Sequence, residues 1–250
     1  MTLLVPATKF MAHLPLALHN GEPKSVLIIC FGMGTTYRSA LSWNVETTAV
    51  ELVPSVTQAF GFYYADAPQL LKNPKGRIVI DDGRRFLNRT REKFDLILID
   101  PPPPIQAAGS SLLYSEEFYR AAKAHLNPNG IVAAWIPAGP QESLQAVFRS
   151  LADSFKYVRC FVSIGDLGVH VLASQEPTPN ISAEQIASQM PAAAARDLLE
   201  WTPSRDVAGY FKELMSKEFR IGSVLNPDPS IRITDDHPYN EYYLLRHHLY

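Results

Sequence analysis

From Lys24 onward, short continuous apolar runs alternate with stretches whose apolar residues recur at helical spacing. Val26-Leu-Ile-Ile-Cys30 reads as a strand buried on both faces, since no polar residue interrupts it. A glycine-bearing turn and a helix through Ser42 follow. Thr47–Glu51 is a second strand, with a helix beginning near Pro54, and Arg77–Ile80 is a third, with a helix from Gly83 to Asn88. Asp95–Asp100 is the clearest strand, and a proline-rich loop leads from it to a helix over about Ser115–His125. Pro128-Asn-Gly130 marks a turn, Ile131–Ile136 a fifth strand and Gln141–Ser154 another helix. Tyr157–Val162 and Gly168–Leu172 are strands joined by the short turn Gly165-Asp166, the spacing of a hairpin. Five β-α units closed by a hairpin predict an α/β fold: a doubly wound, mostly parallel seven-stranded sheet, helices on both faces, and an antiparallel final hairpin. After Ser174 the chain turns proline- and alanine-rich, with helical patterns to about Phe219. The expected division is a lead-in at 1–23, the α/β domain at 24–174, and a helical C-terminal extension with a Thr-Asp-Asp tail at 175–250.

Composition narrows the function classes. The chain has 250 residues, 46% apolar and 19% charged, with a net charge of −2 and no long basic run, which argues against a nucleic-acid grip. Cys30 and Cys160 sit inside apolar runs and read as reduced, buried thiols. Met1–Leu18 is broken by Lys9, His13 and two prolines, so it matches neither a signal peptide nor a membrane span. These features predict a soluble, cytoplasmic chain without membrane insertion. His13, His237, His247 and His248 lack the spacing of a closed metal site, and no metal is expected. Trp43, Trp135 and Trp201 read mainly as core, with Trp135, closing a strand at the crevice, the exception.

Ligands of doubly wound sheets bind beyond the carboxyl ends of the strands, and four such ends carry suggestive residues. The first is Gly32-Met-Gly34-Thr35, where glycines let backbone approach a ligand and the next helix offers free N–H groups; a plain tight turn has the same pattern. Tyr37 stands where a dinucleotide fingerprint has its third glycine, which disfavours a nicotinamide oxidoreductase. Glu51 closes the second strand at roughly the distance, about 20 residues past such a loop, where a carboxylate accepts ribose hydroxyls. Asp81-Asp82-Gly83 offers an acceptor for an adenine amine and equally a helix N-cap, Asp82 being the preferred ligand. Asp100 ends an apolar strand, where partial desolvation raises its basicity and suits it to take a proton. The prolines after it stiffen the next loop.

Together these stations resemble the polyamine aminopropyltransferases, the spermidine and spermine synthase family, with its Rossmann-like class I S-adenosylmethionine-dependent methyltransferase fold. The specific segments are Asp82-Gly-Arg-Arg-Phe-Leu87, Phe94–Asp100, Leu113-Tyr-Ser-Glu-Glu-Phe-Tyr119 and Asn127–Trp135, and the resemblance runs in order over about 10–172. A second patch, 234–246, is similar to bacterial spermidine synthase-like proteins often fused to membrane domains. The resemblance implies a nucleoside-binding domain in which Gly32, Gly34 and Thr35 cradle the amino-acid-derived part. Glu51 would hold the ribose, and Asp82 with Gly83 the adenine. Asp100 would deprotonate an amine that displaces 5′-methylthioadenosine from decarboxylated S-adenosylmethionine. Tyr114, Trp135, Asp235 and Asp236 are the expected acceptor-side residues.

Members of that family usually carry glycine at the position of Cys30, an aspartate at that of Pro103, and a β-hairpin domain before the sheet, which is missing here. A homodimer would therefore use another surface. The partner expected is a small-molecule amine. Two other readings stay open. A methyltransferase would use intact S-adenosylmethionine, its carboxylate met by Lys9, Arg38 or a row of backbone N–H groups. A non-catalytic module would retain only the fold.

Overall fold

Alternate residues of the apolar strands sort into two separate cores, which is why those runs show no polar interruption. A computed structural model describes residues 5–100, 104–202 and 205–241. The strands are β1 (Ser25–Ile29), β2 (Glu46–Glu51), β3 (Gly76–Ile80), β4 (Phe94–Ile99), β5 (Leu126–Ile136), β6 (Tyr157–Val162), β7 (Val169–Ser174) and β8 (Glu218–Arg220). Val26 and Ile28 of β1 join Leu96 and Leu98 of β4 in one core; Leu27 and Ile29 join Ile97 and Ile99 in the other. This is the period-two geometry of a strand covered on both faces.

The first face is covered by α1 (Val5–Ala17), α2 (Thr35–Leu41) and the later helices α9 (Ala183–Gln189), α10 (Ala192–Leu199) and α11 (Val207–Ser216). Between β2 and β3 run three short helices, α3 (Pro54–Gln58), α4 (Phe60–Tyr63) and α5 (Ala67–Leu70). The second face is covered by α6 (Gly83–Arg89), α7 (Glu116–Ala124) and α8 (Gln141–Ser154). The segment expected as a lead-in thus folds as α1, with Phe10, Leu14 and Leu16 in the core.

Strand order is β3-β2-β1-β4-β5-β7-β6-β8. β1 to β5 are parallel, and β7 lies antiparallel between β5 and β6. The α/β expectation holds, but the sheet has eight strands, not seven. Helical patterning was expected to reach Phe219; instead α11 ends at Ser216 and Glu218–Arg220 pairs with β6. Three residues with charges at both ends carry no strand period. The backbone ladder to β6 and the packing of Phe219 against Phe148 hold them, joined by Arg159, whose Nε and Nη2 donate to the two Glu218 carboxylate oxygens at 2.7 Å each. β5 also begins earlier than Ile131: the Pro-Asn-Gly turn is a register shift inside the strand, with Asn129 at φ 63°. Among the described residues no helix is long and apolar enough to cross a membrane.

Candidate active site

The carboxyl ends of β1, β2, β3 and β4 open on one edge of the sheet, and the loop after β1 lies at its centre. Gly34 precedes α2 at φ 79°, and a side chain there would overlap the Phe60 ring. Gly32, at φ 53°, is free of such packing: a Cβ would meet nothing within 4 Å, so backbone is exposed where a ligand can approach. Cys30 holds φ 72°, a left-handed conformation that costs a side-chain-bearing residue about 1–2 kcal/mol. Glycine would hold the same geometry without that cost, as the resemblance leads one to expect at this position.

Glu51 is buried at the end of β2, not solvated. Its two carboxylate oxygens accept the N–H groups of Phe31 and Val53, each at 2.9 Å. It therefore ties β2 to the glycine loop, and an ionised carboxylate retains acceptor capacity for further donors. Asp82 caps α6, its Oδ1 accepting the Arg85 N–H at 2.8 Å, so the N-cap role is real. Gly83 is glycine for packing, since a Cβ would overlap Ile29 of β1.

Asp100 follows β4, its N–H donating to the Ile29 carbonyl at 3.0 Å. Burial pushes its carboxyl up to about 7; the Thr36 hydroxyl, donating at 2.9 Å, pulls the other way, and the Glu51 charge adds to the rise. Thr36 was not among the expected site residues. The expected one, Thr35, turns its hydroxyl to the Tyr64 phenol at 2.7 Å, away from the base. Adjacent residues on a helix point about 100° apart, and two neighbouring threonines give no sign of which faces β4. Cys30 lies among the carboxyls: burial first, then Asp100, Glu51 and Asp82, push its thiol up to about 12. Tyr114 is fully buried, and among the described residues its hydroxyl has no hydrogen-bond partner. Burial, then Cys30 and Asp100, raise the phenol well above its usual range.

The other expected acceptor-side residues are placed differently. Trp135 donates its indole N–H to the Leu167 carbonyl at 2.7 Å. Asp235 takes a two-pronged ion pair from Arg84 and a hydrogen bond from Ser115 at 2.7 Å, while Asp236 is exposed. Pro103, His247 and His248 lie outside the described residues. A cavity of about 750 Å³, lined by Trp43, Glu46, Lys75 and Met190 among others, lies at the opposite ends of β1 and β2, and none of these site residues lines it.

Lys9 and Arg38, considered above as carboxylate partners, are already paired. Lys9 reaches Glu200 at 2.8 Å and the Asp197 carbonyl; Arg38 reaches Asp197, Asp66 and Glu200. Burial opposes the Asp197 charge, yet His13, Lys9 and Ser39 hold its carboxyl well below the usual range.

A family model, the spermine/spermidine synthase domain, matches residues 5–164, covering α1, the glycine loop, Glu51, Asp82, Asp100 and Tyr114. The chain belongs to the spermine/spermidine synthase family. Among its relatives is the polyamine aminopropyltransferase of Sulfurisphaera tokodaii, 29% identical over 85% of this chain and 75% of that protein. The spermidine synthase of Thermotoga maritima superimposes with a TM-score of 0.64 at 25% identity, covering 74% of this chain and 65% of that one. Human methyltransferase-like protein 13, solved with SAH, shares the fold at 16% identity and a TM-score of 0.55 over 78% of this chain. The chain thus spans about two thirds of the Thermotoga structure and three quarters of the archaeal relative.

Proposed function

We propose that this chain transfers an aminopropyl group from decarboxylated S-adenosylmethionine to a small-molecule amine, with Asp100 as the base. The amine nitrogen attacks the methylene next to the sulfonium. The carbon–sulfur bond breaks, its electron pair stays on sulfur, and neutral 5′-methylthioadenosine leaves. The nitrogen loses one proton, which Asp100 takes. The observation that carries this reading is the place of Asp100, directly after β4 at the crevice and accepting the Thr36 hydroxyl at 2.9 Å; burial there lifts its carboxyl to about 7, suited to accept a proton near neutral pH. A displacement at a sulfonium needs little else beyond orientation.

The nucleoside side fits the residues present. Gly32 leaves backbone open, and Glu51 has remaining acceptor capacity for ribose hydroxyls. Asp82, whose Oδ1 caps α6, is the proposed acceptor for the adenine amine. Preference for the decarboxylated form is supported by the pairing of Lys9 and Arg38, since a carboxylate near them would compete with Asp197 and Glu200. Calorimetric titration with decarboxylated S-adenosylmethionine, 5′-methylthioadenosine and intact S-adenosylmethionine tests the reading. Tighter binding of the first two is expected; tighter binding of the intact form would make the chain a methyltransferase, and binding of none a non-catalytic module.

A further inference from the structure

After β8 the chain turns back over the α7–α8 face as a strap. Ile233 is fully buried there: its N–H donates to Ser150 Oγ at 2.8 Å, and its carbonyl accepts the Glu116 N–H at 3.0 Å. Farther on, Asn240 and Glu241 are buried against residues 104–114, the segment between Asp100 and Tyr114. The Asn240 amide donates to the Ile105 carbonyl and to Ser110 Oγ, the latter at 2.8 Å. The backbone carbonyl of Asn240 accepts the Ser143 hydroxyl of α8 at 3.4 Å. Glu241 accepts the Ser111 N–H at 3.0 Å, and the Ser111 hydroxyl and the Gly109 N–H also reach it.

The segment these two residues hold has little structure of its own. Its one regular feature is the 3₁₀ turn Ser110–Leu113, which starts at Gly109 (φ 82°) without a local side-chain cap. Glu241 supplies that cap from far along the chain, taking N–H groups a short helical turn otherwise leaves unpaired. Burial works against the Glu241 charge, yet these donors hold its carboxyl below the usual range. A buried carboxylate is costly unless its hydrogen bonds are made, and the Asn240 amide nitrogen makes both of its own to this segment, so the two residues tie the tail to it specifically.

We infer that Asn240 and Glu241 are positioning residues of the transfer reaction, fixing segment 104–114, and with it Tyr114, against Asp100. The inference rests on the reading of Asp100 as base. Thr36 from α2 donates to Asp100 at 2.9 Å, Tyr114 packs in the same core as Ile29 and Ile99 beside it, and the Glu51 charge and the Cys30 thiol act at the same crevice. Tyr114 is the one carried by the strapped segment. Loosening that segment lets more water reach the partly buried Asp100 and weakens the desolvation that makes it basic.

Hydrogen exchange and kinetics of the full chain with Asn240→Ala and, separately, Glu241→Gln test this. Backbone amides of 104–114 are expected to exchange at least tenfold faster, while those of β1 and β4 keep their rates. Turnover should fall about tenfold, 5′-methylthioadenosine affinity should stay within twofold, and the acidic limb of the rate profile should move to lower pH. Glu241→Gln, which keeps an acceptor oxygen, should lose less than Glu241→Ala. Unchanged exchange at 104–114, or equal acceleration throughout the sheet, would overturn the inference. Absence of transfer by the unsubstituted chain would instead remove the base, leaving the exchange result to decide the strap.

Discussion

Replacing Asp100 by asparagine separates its chemical role from its structural cost. Asparagine keeps the shape and an acceptor for the Thr36 hydroxyl but cannot ionise or take a proton. In the folded chain the Asp100 carboxyl is lifted from 3.8 to about 7, chiefly by burial. Each unit between folded and unfolded values is worth about 1.4 kcal/mol, so ionising Asp100 in the fold costs on the order of 4 kcal/mol. The sign follows from linkage. Because folding raises this value, the protonated group favours the fold below pH 3.8, and that advantage is lost as pH rises through about 7. Asp100→Asn should therefore be more stable than the unsubstituted chain at pH 8, by up to about 4 kcal/mol, with the gap closing towards pH 4. Urea midpoints at several pH values read this directly, and the same variant should show no transfer. A stability difference independent of pH would refute the claim that Asp100 is forced to carry charge in a dry site. Full activity of the variant would refute its role as base.

Substitutions at three further positions probe its neighbours. Thr36→Val removes the hydroxyl that favours the charged carboxylate, so the acidic limb of the rate profile should move to higher pH; an unmoved limb would mean the hydroxyl does not act on the base. Glu51→Ala leaves the buried Phe31 N–H and the half-exposed Val53 N–H unpaired and should cost about 1–4 kcal/mol of stability, with 5′-methylthioadenosine affinity weakened by a few kcal/mol at most; unchanged affinity in calorimetry would place the ribose elsewhere. Cys30→Gly should be neutral within about 1 kcal/mol, relief of the left-handed backbone offsetting lost packing, whereas β-branched Cys30→Val should cost about 2 kcal/mol more. Equal denaturation midpoints for the two would contradict the backbone argument.

The parallel sheet was legible because both of its faces are covered: an unbroken Val26–Ile29 or Leu96–Ile99 states its burial without reference to partners. Glu218–Arg220 was not, because it is too short to show a period and its partners, β6, Phe148 and Arg159, lie far from it in the chain. At the site, Glu51, Asp82 and Asp100 were legible as acids closing strands at one sheet edge. Which threonine meets the base depends on how α2 is rotated by the packing of Phe31, Phe60 and Tyr64, a tertiary property. The same holds for Asp235. The resemblance put it on the acceptor side; its ion pair with Arg84 and its hydrogen bond from Ser115, both over a hundred residues earlier, have no local signal. Lys9 and Arg38 looked available for a carboxylate only because Asp197 and Glu200, which pair them, stand on α10 and just after it.

The most direct test is product analysis. The purified chain is incubated with decarboxylated S-adenosylmethionine and a panel of di- and polyamines, and followed by mass spectrometry. One acceptor should gain a single aminopropyl group, with 5′-methylthioadenosine released in equal amount, and Asp100→Asn should yield neither. A methylated acceptor formed from intact S-adenosylmethionine, or no 5′-methylthioadenosine with any amine, would contradict aminopropyl transfer.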